Sequence, residues 1–287
     1  MVAPAGPFPR PAFAAGLAVL RTRYEVVHTD AIFSQSRYLA GDDEVRLGDL
    51  VRALGDPSTL AVFCARGGYG AMRLLDRVDP EAFPPKLLVG FSDITAFHLA
   101  WQAKGRVSIH GPVVTQLGRA PANARERLFS VLEGTGPAGA LAGTATYVPG
   151  AVEGPLVGGN MSVLTRLLGT RFMPSLDGAV LLLEDVGERP YRFDRMWMHL
   201  KLSGALDRVA GVCLGEFSGC EEADASYSGE DVRRDMVAAL GRPCAGGFRI
   251  GHDDENLAVP LGVRVRLDAD SKTLTFLEST CAPEGVG

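Results

Sequence analysis

The segment Lys86-Leu87-Leu88-Val89-Gly90-Phe91-Ser92-Asp93-Ile94-Thr95-Ala96-Phe97-His98 sets a serine where an apolar run passes, through a glycine, into a helical pattern. As strand, sharp turn and helix, it lifts the Ser92 hydroxyl clear of a sheet and beside free backbone N–H groups at a helix start. A nucleophilic serine needs both conditions. The spacing departs from Gly-x-Ser-x-Gly, because Ile94 stands where the second glycine would be. The same residues also describe a buried helix with a Ser/Asp cap.

A serine at neutral pH needs a base, and the base needs an orienter. Of the histidines, His28 lies near a surface turn. His98 follows Ser92 on the same helix and faces away from the turn. His199 lies within an amphipathic helix and reads as half-buried and structural. His110 precedes Gly111-Pro112 at a strand end, and His252 follows a Phe248–Ile250 strand that ends in Gly251. Sites collect at strand ends in α/β proteins, so His110 and His252 lead as bases. Glu184 and Asp185 end the apolar strand Ala179–Leu183, where a carboxylate is either functional or a helix cap.

Arg66-Gly67-Gly68-Tyr69-Gly70 can turn tightly with N–H groups converging on an anion, a phosphate or a tetrahedral oxyanion. No Gly-Lys-Ser/Thr follows it, so it is no Walker loop, and a plain strand-to-helix turn is the other reading. Gly158-Gly159-Asn160 is a weaker signal, because Asn160 also suits the N-cap of a helix at Met161.

The positioning elements alternate. Helical periods run over Phe13–Tyr24, Asp42–Leu54, Ala71–Leu75, Met161–Leu168, Asp194–Leu202 and Gly229–Leu240. Strands are expected at Glu25–His28, Leu60–Ala65, Leu87–Val89, Val107–Ile109, Ala179–Leu183 and Val209–Leu214. This alternation predicts an α/β fold, with a parallel sheet covered on both faces. Residues 134–154, rich in Gly, Ala, Thr and Pro, read as a crossover with embedded strands between domains at 1–133 and 155–287. Val263–Leu267 and Thr273–Leu277 alternate with period two and predict an antiparallel hairpin. The tail Cys281–Gly287 is expected to fray. No internal repeat or low-complexity tract occurs.

The 287 residues, net charge −5 and pI near 5.6 argue against a nucleic-acid partner. Five cysteines without a Cys-x-x-Cys pair suggest neither a disulfide framework nor a zinc site, and Cys64 and Cys213 sit in apolar runs as core residues. A reducing compartment fits best. Neither a signal peptide nor a stretch of about 18 apolar residues is present, so a cytoplasmic protein that does not enter the membrane is expected.

In this order, the motifs resemble the LD-carboxypeptidase family of serine peptidases. The resemblance covers nearly the whole chain. It rests on Ala3-Pro4-Ala5-Gly6-Pro7, Ala65–Ala71, Gly90–Thr95, His110-Gly111-Pro112, Gly154–Asn160, Leu183–Arg195 and Gly251-His252. The stretch Leu183–Arg195 is the most specific match. The resemblance implies a flavodoxin-like N-terminal domain carrying the nucleophile and a smaller mixed α/β C-terminal domain carrying Glu and His. It implies a triad of Ser92, Glu184 and His252, which settles the choice against His110. An oxyanion hole from the backbone N–H groups of Gly68 and Asp93 goes with it, with neither metal nor cofactor.

The implied substrate is a cell-wall (murein) tetrapeptide cut before its terminal D-alanine, and a homodimer is implied too. Arg66, Tyr69, Asn160 and Arg192 are the candidates for binding substrate, and Arg195 is a further cation for its carboxylate. For Arg192 and Arg195 an interdomain or surface ion pair is the alternative. The family normally carries an apolar strand before Ala-Pro-Ala-Gly, whereas only Met1 and Val2 precede it here. A misplaced start or a stubby first strand is expected.

The microcin-immunity branch resembles the same family and cleaves an aminoacyl-nucleotide toxin. It tends to carry a longer C-terminal domain with an aromatic platform, whereas Trp101 and Trp197 here read as core or interface residues. A non-catalytic binding protein on the same scaffold is the alternative from another class.

Overall fold

A computed structural model of the chain describes residues 1–134, 136–223 and 225–280, so the tail Cys281–Gly287 lies outside the described residues. The first half supplies helices α1 (Arg10–Leu20) and α2 (Asp43–Gly55), strands β1 (Ala61–Phe63) and β2 (Leu87–Gly90), α3 (Thr95–Gln102), β3 (Ser108–His110), α4 (Val114–Leu117) and α5 (Ala122–Glu133). Three strands, β4 (Ala140–Ala142), β5 (Ala145–Val148) and β6 (Ala151–Asn160), follow directly. Then come α6 (Met161–Leu167), β7 (Val180–Val186), α7 (Pro190–Leu202), β8 (Gly211–Ser218), α8 (Gly229–Ala238), β9 (Cys244–Gly246), β10 (Val259–Leu261), β11 (Arg264–Asp268) and β12 (Thr273–Phe276).

The first sheet runs β1-β2-β3-β10, with β1, β2 and β3 parallel and β10 antiparallel at the edge. On the other edge Val2 bridges Cys64 in parallel: the Val2 N–H donates to the Phe63 carbonyl at 3.0 Å, and the Ala65 N–H donates to the Val2 carbonyl at 2.8 Å. Ahead of Ala3-Pro4-Ala5-Gly6 the described residues hold one buried bridge at this edge. The Met1 ammonium donates to the Val27 carbonyl at 2.6 Å, which sets residues 25–28 beside Val2 without a ladder. The expected strand Glu25–His28 is thus an extended segment held by an end-on contact. Counting it, the order is 2-1-3-4-5, the flavodoxin-like arrangement.

The second sheet runs β4-β12-β11-β6-β7-β8-β9-β5, parallel from β6 through β9 and antiparallel elsewhere. Its edge strands β4 and β5 are joined by Gly143 and Thr144 alone, so they lie within about 11 Å of each other. The sheet must roll up until its edges meet. Alternation along β7 follows: Val180 and Leu182 face the rolled interior with Phe248, Val265 and Phe276, while Leu181 and Leu183 face the helices outside. A strand buried on both faces reads as an unbroken apolar run, and that is why Ala179–Leu183 shows no alternation. β11 and β12 keep one solvated face and pair as the expected hairpin, Val265 opposite Phe276. The expected strand at Phe248–Ile250 is absent. β9 ends at Gly246 and Gly247, at φ 72°, turns the chain out of the ladder.

The two sheets share one core. Phe97, Leu99 and Trp101 of α3 pack in a single cluster with Leu164, Leu183 and Trp197 from the second half. Trp101 is 2% exposed, and truncating an aromatic buried to this degree costs about 3–5 kcal/mol. Polar ties cross the same seam: the Asn160 N–H donates to Thr95 Oγ1 at 3.0 Å, and Gln102 Nε2 to the Leu156 carbonyl at 2.8 Å. The chain folds as mixed α/β with parallel-strand sheets in a two-domain architecture. Among the described residues no helix is long and apolar enough to cross a membrane.

Candidate active site

β2 ends at Gly90, Phe91 is fully extended, and Ser92 opens a 3-10 turn that leads into α3. Ser92 has φ 63°. The left-handed region costs a non-glycine residue about 1–2 kcal/mol, and such strain collects at functional turns. The Ser92 hydroxyl makes no hydrogen bond among the described residues, so it is available. The glycine loop sits directly against it. A Cβ at Gly67 would lie 2.9 Å from Ser92 Cβ and 3.1 Å from Ser92 Oγ. Only glycine lets that backbone come so close.

The Asp93 side chain caps another helix than its own. Its Oδ2 accepts the N–H of Ala71 at 2.8 Å, at the start of the 3-10 helix Ala71–Arg77 that follows the glycine loop. The serine turn and the glycine loop are thereby locked together. Burial raises the Asp93 carboxyl to about 6, against the pull of the Ala71 amide and Arg46. Arg46, 1% exposed, donates to the Gly70 carbonyl at 2.9 Å and to the Pro4 carbonyl, and so staples the loop to the chain's opening turn. Sequence reasoning missed Arg46. The signal was its position, because 46, 50, 53 and 54 share the buried face of α2.

His252 lies on the loop after β9. Its Nδ1 is 2.8 Å from Glu184 Oε2, and Glu184 is fully buried near the carboxyl end of β7. Gly251 has φ 151°, and a Cβ there would stand 3.2 Å from Glu184 Oε2. A side chain at 251 would therefore push the imidazole and the carboxylate apart. The His252 ring packs on Phe91, the residue before Ser92, with centroids 4.8 Å apart. The imidazole thus stands beside the serine turn, with Nδ1 engaged and no direct bond to the hydroxyl. Burial alone would lower the His252 pKa, but the hydrogen bond and charge of Glu184, with Asp185 and Asp253, outweigh it and raise it. Such a pair presents Nε2 as a proton acceptor.

A second carboxyl, unforeseen from sequence, flanks the same loop. Glu216 accepts the Asp253 N–H at 3.3 Å, and burial, then Asp253, raises it to about 7.

The other expected residues divide. His98 is fully buried, bonded through Nε2 to the Gly90 carbonyl at 2.8 Å and through Nδ1 to Ser108 Oγ at 2.9 Å. It braces β2 behind the serine. His110 is buried at the end of β3 against Phe91, and burial, then His98 and His252, drives its pKa well down. His199 is exposed rather than half-buried, because its position on α7 falls outside the face formed by Phe193, Met196, Trp197 and Leu200.

Asn160 is held inside the protein: Oδ1 accepts the Val163 N–H at 3.1 Å as cap of α6, and Nδ2 donates to Asp185 at 3.0 Å. These bonds tie Asn160 to the carboxyl end of β7, and its amide keeps a second N–H and a second lone pair for a substrate. Asp185 also accepts from the Ser162 backbone and hydroxyl. Arg66 is exposed and donates to the Pro7 carbonyl, and Tyr69 is exposed against Tyr38 with ring centroids 5.8 Å apart. Arg192 pairs with Glu188 at 3.1 Å on the surface.

The chain matches the model of the LD-carboxypeptidase N-terminal domain over residues 1–111 and that of the LD-carboxypeptidase C-terminal domain over residues 153–267. It therefore belongs to the LD-carboxypeptidase family, serine-type peptidases that hydrolyse from a carboxyl end. It is 36% identical over 250 residues to the murein tetrapeptide carboxypeptidase of Pseudomonas aeruginosa, covering 82% of this chain and 80% of that one. The crystal structure of muramoyltetrapeptide carboxypeptidase from Oxalobacter formigenes aligns with a TM-score of 0.84 at 28% identity, over 97% of this chain and 99% of that one. The microcin C7 self-immunity protein of Escherichia coli is 25% identical over 282 residues, 86% of this chain and 82% of that one.

Proposed function

We propose that the chain hydrolyses the bond before the terminal D-alanine of murein tetrapeptides, with Ser92 as nucleophile, His252 as base and Glu184 as its orienter. The observation that carries this reading is the His252–Glu184 contact of 2.8 Å on a ring packed against the Ser92 turn. Glu184 fixes the tautomer in which Nδ1–H donates and Nε2 accepts. Ser92 Oγ attacks the carbonyl carbon as its proton passes to His252. The oxyanion is held by the N–H groups of Gly68 and Asp93, and losing one such donor typically costs about 3 kcal/mol of transition-state stabilisation. The imidazolium then protonates the leaving amine of D-alanine, and water, activated by the same imidazole, releases the acyl group.

The division into a nucleophile-bearing unit, residues 1–133, and a unit bearing Glu184 and His252, residues 155–287, is part of this reading. It is supported by the two family models, which fall on either side of residues 112–152. Arg66, whose neighbour Gly67 touches Ser92, is the cation proposed for the D-alanine carboxylate, and Tyr69 borders it. A cytoplasmic location and a homodimer go with the reading through the resemblance, and sedimentation of the purified chain tests the second.

The resemblance to the microcin-immunity branch carries a second substrate class, an aminoacyl nucleotide, and the chain is similar to the microcin C7 self-immunity protein. Incubating the protein with a D-alanine-terminated tetrapeptide and with glutamyl-sulfamoyl-adenosine separates them. Release of D-alanine with the nucleotide intact is the expected result, and cleavage of the nucleotide alone overturns the murein reading.

A further inference from the structure

A cavity of about 180 Å³ opens where α6 and α7 meet, lined by Arg166, Glu188, Tyr191, Arg192, Arg195 and Met196. Three guanidinium groups face one carboxylate there. Glu188 is paired with Arg192 at 3.1 Å. Arg166 donates only to oxygens of its own helix, the Ser162 carbonyl and Thr165 Oγ1. Arg195 stacks on Tyr191 at 5.3 Å from the ring centroid. Among the described residues neither Arg166 nor Arg195 has an acidic partner, so the cavity keeps a surplus of two positive charges.

The cavity is tied to the candidate active site through Glu188. Glu188 Oε1 lies 3.3 Å from Ser162 Oγ, and Ser162 Oγ donates to Asp185 Oδ2 at 2.7 Å. Asp185 directly follows Glu184. The cavity therefore stands at the carboxyl end of β7, the end at which ligands bind in parallel α/β sheets. Its volume corresponds to about six waters, room for a carboxylate and a few atoms beside it. Forked guanidinium groups in a concave site of net positive charge recognise a planar two-oxygen anion.

We infer that this cavity is a subsite for a side carboxylate of an acidic peptide substrate, on the amino-terminal side of the bond cut at Ser92. The inference rests on the peptidase reading above and extends it by a second anion site, separate from the one at Arg66. In it Arg166 and Arg195 contact the carboxylate, and Arg192 shares its charge between the carboxylate and Glu188.

The test uses the full chain and two tetrapeptides ending in free D-alanine, one with its side carboxylates free and one with them amidated. The wild-type protein is expected to have a KM about tenfold lower for the acidic peptide. The Arg166→Gln/Arg195→Gln double variant is expected to lose that preference through the KM of the acidic peptide. Equal KM values in the wild type, or a preference that survives in the double variant, overturns the subsite. Should the wild type label with a fluorophosphonate yet cut neither peptide, the murein reading fails by itself. Calorimetric titration with glutarate then decides the subsite: saturable binding lost in the double variant supports it, and absence of binding to the wild type overturns it.

Discussion

The Asp93 carboxylate accepts the Ala71 N–H at 2.8 Å, and this bond joins the turn that carries Ser92 to the helix that follows Gly68. The two N–H groups proposed for the oxyanion come from the two segments that it locks. Because burial raises Asp93 to about 6, an unfolded Asp93 loses its proton at lower pH than the folded one. Stability therefore falls as pH rises from about 4 to about 6. Asp93→Asn, which keeps an acceptor without the charge, is expected to match or exceed the wild type by about 1–3 kcal/mol at pH 7.5. Asp93→Ala should fall about 1 kcal/mol below Asp93→Asn for the lost cap. Urea unfolding of both variants checks the order.

Gly67→Ala tests the contact between the glycine loop and the nucleophile. The new Cβ would meet Ser92 Cβ at 2.9 Å, so one of the two segments must shift. A displacement of about 1 Å at a reacting atom costs on the order of 100-fold in rate. A drop in kcat of that size, with an unchanged unfolding midpoint, is the expected result of steady-state kinetics and thermal melting.

The pH profile reads the imidazole. His252 must be neutral to accept the Ser92 proton, and Glu184 raises its pKa. The acid limb of kcat/KM should therefore fall above the ordinary histidine value of about 6.5. Glu184→Gln removes the raising charge, so the limb should move to lower pH while the rate drops about 10³–10⁴-fold. Glu216, at about 7, titrates in the same range, and the charges of Asp185 and Asp253 also raise the His252 pKa. A limb that stays in place in Glu216→Gln assigns it to His252.

His98 gives a stability prediction of opposite sense to Asp93. Burial lowers its pKa to about 4, against the pull of the Gly90 carbonyl. The unfolded chain takes up this proton first, so stability is lost as pH falls from about 6.5 towards 4, by about 3 kcal/mol. The ¹⁵N shifts of the His98 ring should stay those of a neutral imidazole at pH 5.5.

Much of this arrangement was legible in the sequence because strand ends and turns are local. The Ser92 turn, the apolar strand ending at Glu184 and the Val263–Leu277 hairpin each announce themselves within 15 residues or fewer. The histidine was not legible from periodicity, since His110 and His252 both follow strand-like runs. Apart from the family resemblance, the spatial partner separates them: His252 meets Glu184, while His110 packs against Phe91. Asn160 was ambiguous for the same reason, its side chain being claimed by Asp185 from another strand. The rolled sheet was hidden because closure joins β4 and β5 through pairings far apart in the chain. Composition over residues 134–154 shows glycine and threonine but not the partners of the strands among them.

The central claim is that Ser92 carries an acyl-enzyme formed from a D-alanine-terminated peptide. Its most direct test is D-alanine release from the tetrapeptide by wild-type protein and by Ser92→Ala, both confirmed folded. The wild type should release D-alanine and lose that activity on fluorophosphonate labelling at Ser92, with the variant slower by about 10⁴-fold or more. D-Alanine release by Ser92→Ala at the wild-type rate would contradict the account.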